Sequence, residues 1–193
     1  MILARAFYER DTLEVARALL GQILVRRTPE GETRGIIVET EAYLGTLDPA
    51  AHSYKGPSER VRVQYGPAGH AYVYLIYGMY SCMNITTGPA GKPEVVLLRA
   101  LEPCGGLELM ARRRRNAKRT ALCAGPGRLC MAMDITRGLY GADLCTQTDG
   151  LWLERGEMPA AVETSKRVNI DYAGAAKDWP WRFTIQGNRF VSK

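Results

Sequence analysis

The run Glu39-Thr40-Glu41-Ala42-Tyr43 sets two carboxylates and a phenol at alternate positions. In an extended strand side chains alternate faces, so Glu39, Glu41 and Tyr43 share one face while Val38, Thr40, Ala42 and Leu44 share the other. A carboxylate beside an aromatic ring suits a general base next to a stacking surface. The same spacing also suits a solvated strand face, the commoner case in antiparallel sheets. A second group is aromatic: Tyr72, Tyr74, Tyr77 and Tyr80 fall within nine residues around Gly78. Flat rings with polar tips stack on nucleobases, and a hairpin tip can wedge into a minor groove. Tyrosine is equally a good strand former, so both readings stand.

Other chemistries lack the residues they need. Gly91-Lys92 is followed by Pro93, which offers no hydroxyl to magnesium, so there is no phosphate loop. Gly125-Pro126-Gly127-Arg128-Leu129-Cys130 has Cys130 where a dinucleotide fingerprint needs its third glycine, and reads as a turn. His52 and His70 have no partner at zinc spacing and no Cys-x-x-Cys occurs, so neither a metal nor another cofactor is expected. That also excludes a zinc-dependent nucleobase deaminase.

The elements that position these groups follow from period and punctuation. Asp11-Thr12-Leu13-Glu14 has the form of a capping box, and Leu13, Val15, Ala16, Leu19 and Leu20 follow at helical spacing before Gly21. Residues 22–27 and 34–43 read as two strands joined through Thr28-Pro29-Glu30-Gly31-Glu32. Residues 71–76 and 80–87 form a second hairpin around Gly78. A strand over 94–101 ends near Pro103, and 106–118 reads as a helix carrying Arg112, Arg113, Arg114, Arg115, Lys118 and Arg119. Short segments follow at 151–154, 167–170 and 181–185. No repeat or linker divides residues 1–193, so the expected fold is a single α+β domain: a curved, mainly antiparallel sheet with surrounding helices and a protruding hairpin.

Composition agrees with a folded domain: 46% hydrophobic and 24% charged residues exclude wholesale disorder. The formal charge of +6 suggests a polyanionic partner. It is carried by the six basic residues of the 112–119 run, because the remaining bases and acids balance at 20 each. Consecutive arginines on a helix point in all directions, so part of that run must be solvated. Five cysteines without regular spacing, and an N-terminus broken by charge before signal-peptide length, point to reduced thiols in the cytosol. The charge-free run from Val63 to Gly91 is interrupted by Gly, Pro, Tyr, Asn and Thr, which argues against a membrane helix.

Taken in order, Val38-Glu39-Thr40-Glu41-Ala42-Tyr43-Leu44-Gly45, Ala50-Ala51-His52-Ser53, Tyr72-Val73-Tyr74-Leu75-Ile76-Tyr77-Gly78-Met79-Tyr80 and Cys82-Met83-Asn84-Ile85 resemble the alkyladenine (3-methyladenine) DNA glycosylase family. Leu97-Leu98-Arg99-Ala100-Leu101-Glu102-Pro103, Leu122-Cys123-Ala124-Gly125-Pro126, Leu151-Trp152-Leu153-Glu154 and Trp181-Arg182-Phe183 extend the likeness over nearly the whole chain. The resemblance implies excision of damaged purines (3-methyladenine, 7-methylguanine, hypoxanthine, ethenoadenine) from double-stranded DNA, without strand cleavage or cofactor. It implies Glu41 as the group activating water, with Arg99 and the Val168 carbonyl holding that water. Tyr43, Ala50, His52 and Tyr74 become the walls of a base pocket, with Asn84 at its floor disfavouring normal guanine. Tyr77, with Met79 beside it, becomes the wedge in the duplex.

Two stretches depart from the family pattern. Pro57-Ser58-Glu59-Arg60-Val61-Arg62 replaces a Thr-Pro-Arg-Asn-like stretch, which leaves phosphate contacts to Arg60 and Arg62. Asn169 replaces the usual glycine after Val168, and asparagine tolerates a positive φ better than most residues. The expected protein is a monomer, cytoplasmic and nucleoid-associated, or nuclear in a eukaryote. The competing readings are a non-catalytic binder of damaged nucleic acid and an enzyme releasing bases from RNA or nucleosides.

Overall fold

The computed structural model describes residues 1–192. Its centre is the 13-residue strand β2 (Gly31–Tyr43), preceded by α1 (Arg5–Tyr8), α2 (Thr12–Ala18) and β1 (Ile23–Thr28). The chain continues through β3 (Ala71–Ile76), β4 (Tyr80–Thr87), β5 (Glu94–Gly105), α3 (Leu107–Arg113) and α4 (Pro126–Met133). It ends in β6 (Leu151–Glu154), β7 (Val162–Ser165) and β8 (Arg182–Ile185). The eight strands form one antiparallel sheet in the order β3-β4-β5-β2-β1-β6, with β8 pairing β2 and β7 pairing β8. The fold is α+β with a curved sheet.

The start of α2 follows from its cap: the Asp11 carboxylate accepts from the Leu13 and Glu14 amides at 2.9 and 3.2 Å. Val15 and Ala16 from this helix, Leu19 just after it, and Leu129, Ala132 and Met133 from α4 bury against Leu24, Ile37, Met83, Ile85 and Leu98 of the sheet. Each fully buried Leu or Ile contributes roughly 1.5–3 kcal/mol of apolar burial. Among the described residues no helix is long and apolar enough to cross a membrane.

Four expectations need correction. The helix expected over 106–118 stops at Arg113, because Arg115 and Asn116 take φ values of 51° and 57°, outside helical space. The turn expected at Gly125-Pro126-Gly127 is the N-terminus of α4, with Pro126 at its first position. Strand β5 runs on through Pro103, which pairs with Gly35 beside a register shift. The alternation assumed for β2 is broken by bulges near Ile37–Thr40. Val38 therefore packs with Ala100 and Phe190, whereas Ala42 joins Ile37 in the main core.

Candidate active site

Strand β2 lies inside the sheet where it carries its carboxylates: Glu39 and Glu41 face Ala100 and Leu97 of β5 on one side and Thr184 and Arg182 of β8 on the other. Both side chains are fully buried, so the solvated-face reading of this strand is overturned. A buried carboxylate needs partners, and the two residues obtain different ones. The Arg99 Nε donates to Glu39 at 2.9 Å, and Arg182 Nε donates to the same oxygen at 2.7 Å. The Ser192 amide and hydroxyl add bonds of 2.7 and 2.9 Å. Burial pushes Glu39 up, but Arg99, the Ser192 amide, Arg182 and the Ser192 hydroxyl outweigh it and hold its pKa below the usual carboxylate value.

Glu41 is held more lightly. Its Oε1 accepts from the Val168 amide at 2.7 Å and lies 3.4 Å from a terminal nitrogen of Arg99. Its Oε2 accepts from the Tyr43 hydroxyl at 2.8 Å. Burial dominates here, and although Arg99, Val168 and Tyr43 all favour the anion, the pKa of Glu41 stands above its ordinary value. Glu41 and Tyr43 of β2 thus converge with Arg99 and Val168, which lie far from them in the chain.

Beyond Tyr43 opens an aromatic cavity of about 50 Å³, lined among others by Tyr43, Ala50, His52, Tyr72, Tyr74, Asn84 and Tyr172. His52 and Tyr74 meet edge to face with ring centroids 4.5 Å apart. Arg60 stands over Tyr74 at 5.4 Å and approaches His52 Nε2 at 3.4 Å. A guanidinium can only donate. His52 Nε2 is thus the acceptor, and Nδ1 carries the hydrogen given to the Tyr72 hydroxyl at 2.9 Å. Burial and Arg60 lower the His52 pKa to about 4, so the ring is neutral near pH 7. Its open side lets solvent screen part of that cost. Asn84 is buried and gives its amide hydrogen to the Tyr72 carbonyl at 3.2 Å.

The hairpin β3–β4 pairs Ile76 with Tyr80 across a tip of Tyr77, Gly78 and Met79. Tyr77 is 81% exposed and Met79 69%. Tyr77 and Gly78 take φ values of 53° and 69°. Both Arg60 and Arg62 are exposed: Arg60 lies against the Tyr74 and His52 rings, and Arg62 reaches only Glu59 among the described residues, at 3.9 Å. Behind Arg99 a larger cleft of about 510 Å³ runs under the hairpin, lined among others by Tyr77, Arg99, Arg114, Arg128 and Asn169. Among the described residues, no lysine lines either cavity.

Several site residues lie outside the sequence reading. Tyr172, 71% exposed, closes one side of the aromatic cavity and donates to the Ala50 carbonyl at 3.3 Å. Asp48 and Arg167 form a wholly buried ion pair behind Tyr43. Nothing local marks either residue, since 119 positions separate them.

A profile described as methylpurine-DNA glycosylase matches residues 6–189. A protein of Methanocella arvoryzae named "Putative 3-methyladenine DNA glycosylase" is 49% identical over 193 residues, covering 100% of this chain and 96% of its own. Proteins of the same name from Alkaliphilus oremlandii and Bacillus cereus are 47% and 48% identical, covering 100% and 97% of this chain and the same shares of their own. The chain belongs to the methylpurine-DNA glycosylase family. It is by that membership a DNA glycosylase, a hydrolase acting on DNA.

Proposed function

We propose that the protein is a monofunctional 3-methyladenine DNA glycosylase that turns alkylated or deaminated purines out of duplex DNA and hydrolyses their N-glycosidic bond with water activated by Glu41. Carrying this reading is one observation: a fully buried carboxylate of raised pKa, next to a guanidinium, hydrogen-bonded to a wall of an aromatic pocket. Of the two carboxylates it is the one whose pKa moves up, the direction that suits a general base.

Bond cleavage develops positive charge on the sugar, which the Glu41 carboxylate stabilises while accepting the proton of the attacking water. Arg99 stays protonated and so orients rather than deprotonates. The Val168 carbonyl accepts from no protein group among the described residues and is free to hold the same water. Tyr43 on one side and the touching His52 and Tyr74 rings on another replace the stacking that an extruded base loses, at roughly 1–3 kcal/mol per base. Asn84, fixed by its bond to the Tyr72 carbonyl, crowds the exocyclic amine of normal guanine. Tyr77 fills the gap in the duplex, with Met79 beside it. Arg60 and Arg62 face phosphates, the former through a shift away from His52. No lysine among the described residues lines the pocket, so this reading assigns no Schiff base and no strand cleavage. The working form is a monomer.

Base release from duplexes carrying 3-methyladenine, 7-methylguanine, hypoxanthine or ethenoadenine tests the assignment. Glu41→Gln should retain lesion binding while release falls at least about 100-fold. Unchanged release in that variant removes Glu41 from the mechanism. The same lesions in RNA and as free nucleosides should react more slowly, because a wedge helps only in a duplex.

A further inference from the structure

A charge that the reaction does not use lies on the interior side of the pocket wall. Arg167 is buried between two rings, its guanidinium carbon 4.6 Å from the Tyr43 centroid and 5.0 Å from that of Trp181. Its terminal nitrogens donate to both oxygens of buried Asp48, and further to the carbonyls of Ala42 at 3.0 Å and Ala176 at 3.3 Å. Its Nε has no partner among the described residues. Arginine does not lose its proton in proteins, so this cation is permanent.

Tyr43 lines the aromatic cavity and Arg167 does not, so the guanidinium meets the ring from the side away from the cavity. A cation is drawn to an aromatic face by the ring quadrupole. A second cation held over one face consumes part of that attraction and repels a charge arriving on the other. Asp48 accepts from the two terminal nitrogens and offsets part of the charge, while the guanidinium carbon itself lies against the ring. The lesions of the reading above divide by charge: a purine methylated at N3 or N7 is cationic in the nucleotide, whereas hypoxanthine and ethenoadenine are neutral.

We propose that Arg167 is a specificity-determining residue, its fixed cation behind Tyr43 weakening the pocket for cationic purines relative to neutral ones. This rests on the cavity being the base pocket. Arg167 acts through Tyr43 and does not touch the base.

The test compares kcat/KM for 7-methylguanine and hypoxanthine in otherwise identical duplexes. The double variant Arg167→Met with Asp48→Asn removes the pair without stranding a buried charge. Its ratio of cationic to neutral release should rise about three- to ten-fold. Arg167→Lys keeps a charge for Asp48 but gives up the flat contact with the ring, and should move the ratio the same way by less. An unchanged ratio, or an equal fall for both lesions, overturns the proposal. If the double variant does not fold by circular dichroism, the lysine variant alone decides. Glu41→Gln, run beside them, separates the two failures: loss of release there with no change of ratio in the Arg167 variants sinks only the specificity role.

Discussion

Two glutamates two residues apart on one strand are driven in opposite directions. Glu39 is surrounded by four donors from Arg99, Arg182 and Ser192, and is held anionic. Glu41 has fewer donors and a drier setting, and its pKa is raised. Pairs of titratable groups pushed apart in this way mark acid–base assignments. Glu39 thus anchors Arg99, and Glu41 is the carboxylate that the proposed mechanism uses as its base. The Tyr43 hydroxyl is one of the contacts favouring the Glu41 anion, so removing it raises that pKa further. In Tyr43→Phe, single-turnover release of hypoxanthine should slow, and the acid limb of its pH profile should move to higher pH. An acid limb that stays in place would show that the phenol does not tune Glu41.

At the scale of elements, most of the frame was legible because it obeys local rules. The cap at Asp11, the strand-forming runs of β3 and β4, and the turn at Gly78 each follow from a few adjacent residues. Strand β2 was found but its surroundings were not. Local pattern cannot reveal that β8 closes over Glu39 and Glu41, since the partner Arg182 lies 143 residues from Glu39. The end of α3 depends on positive φ at Arg115, which sequence gives no reason to expect. Asn169 is the opposite case: its φ of 58° is the conformation for which asparagine, of the non-glycine residues, is suited. Asn169→Gly should leave the thermal midpoint nearly unchanged. Asn169→Val should cost about 1–2 kcal/mol and lower the midpoint, measured by thermal unfolding of both variants.

Across the whole molecule, the basic run that dominates the net charge divides into two functions. Arg113 pairs with Glu30 and caps the Ala132 carbonyl, Arg114 donates to the Leu122 carbonyl, and Arg119 donates to that of Pro103. Those three side chains tie α3 and the loop after it to the rest of the fold. Arg112, Arg115 and Lys118 are exposed and, among the described residues, make no ion pair. Only they are available to screen phosphates at a distance. Replacing all three with glutamine should lower the slope of log affinity against log salt by up to about 0.9 per side chain lost. The rate of base release from saturated enzyme should be unaffected. An unaltered salt slope would place this surface away from DNA.

The ion cluster on Glu39 carries a consequence for how the protein comes into being. Its donors sit 60, 143 and 153 residues away along the chain. Contacts of such long separation form late, after the loops between them have been closed. A partly folded chain can hold the hairpin and its exposed tyrosine before Arg99 has been locked beside Glu41. On the proposed mechanism, base release should therefore be lost once β8 detaches from Glu39 and Glu41, before the rest of the sheet unfolds.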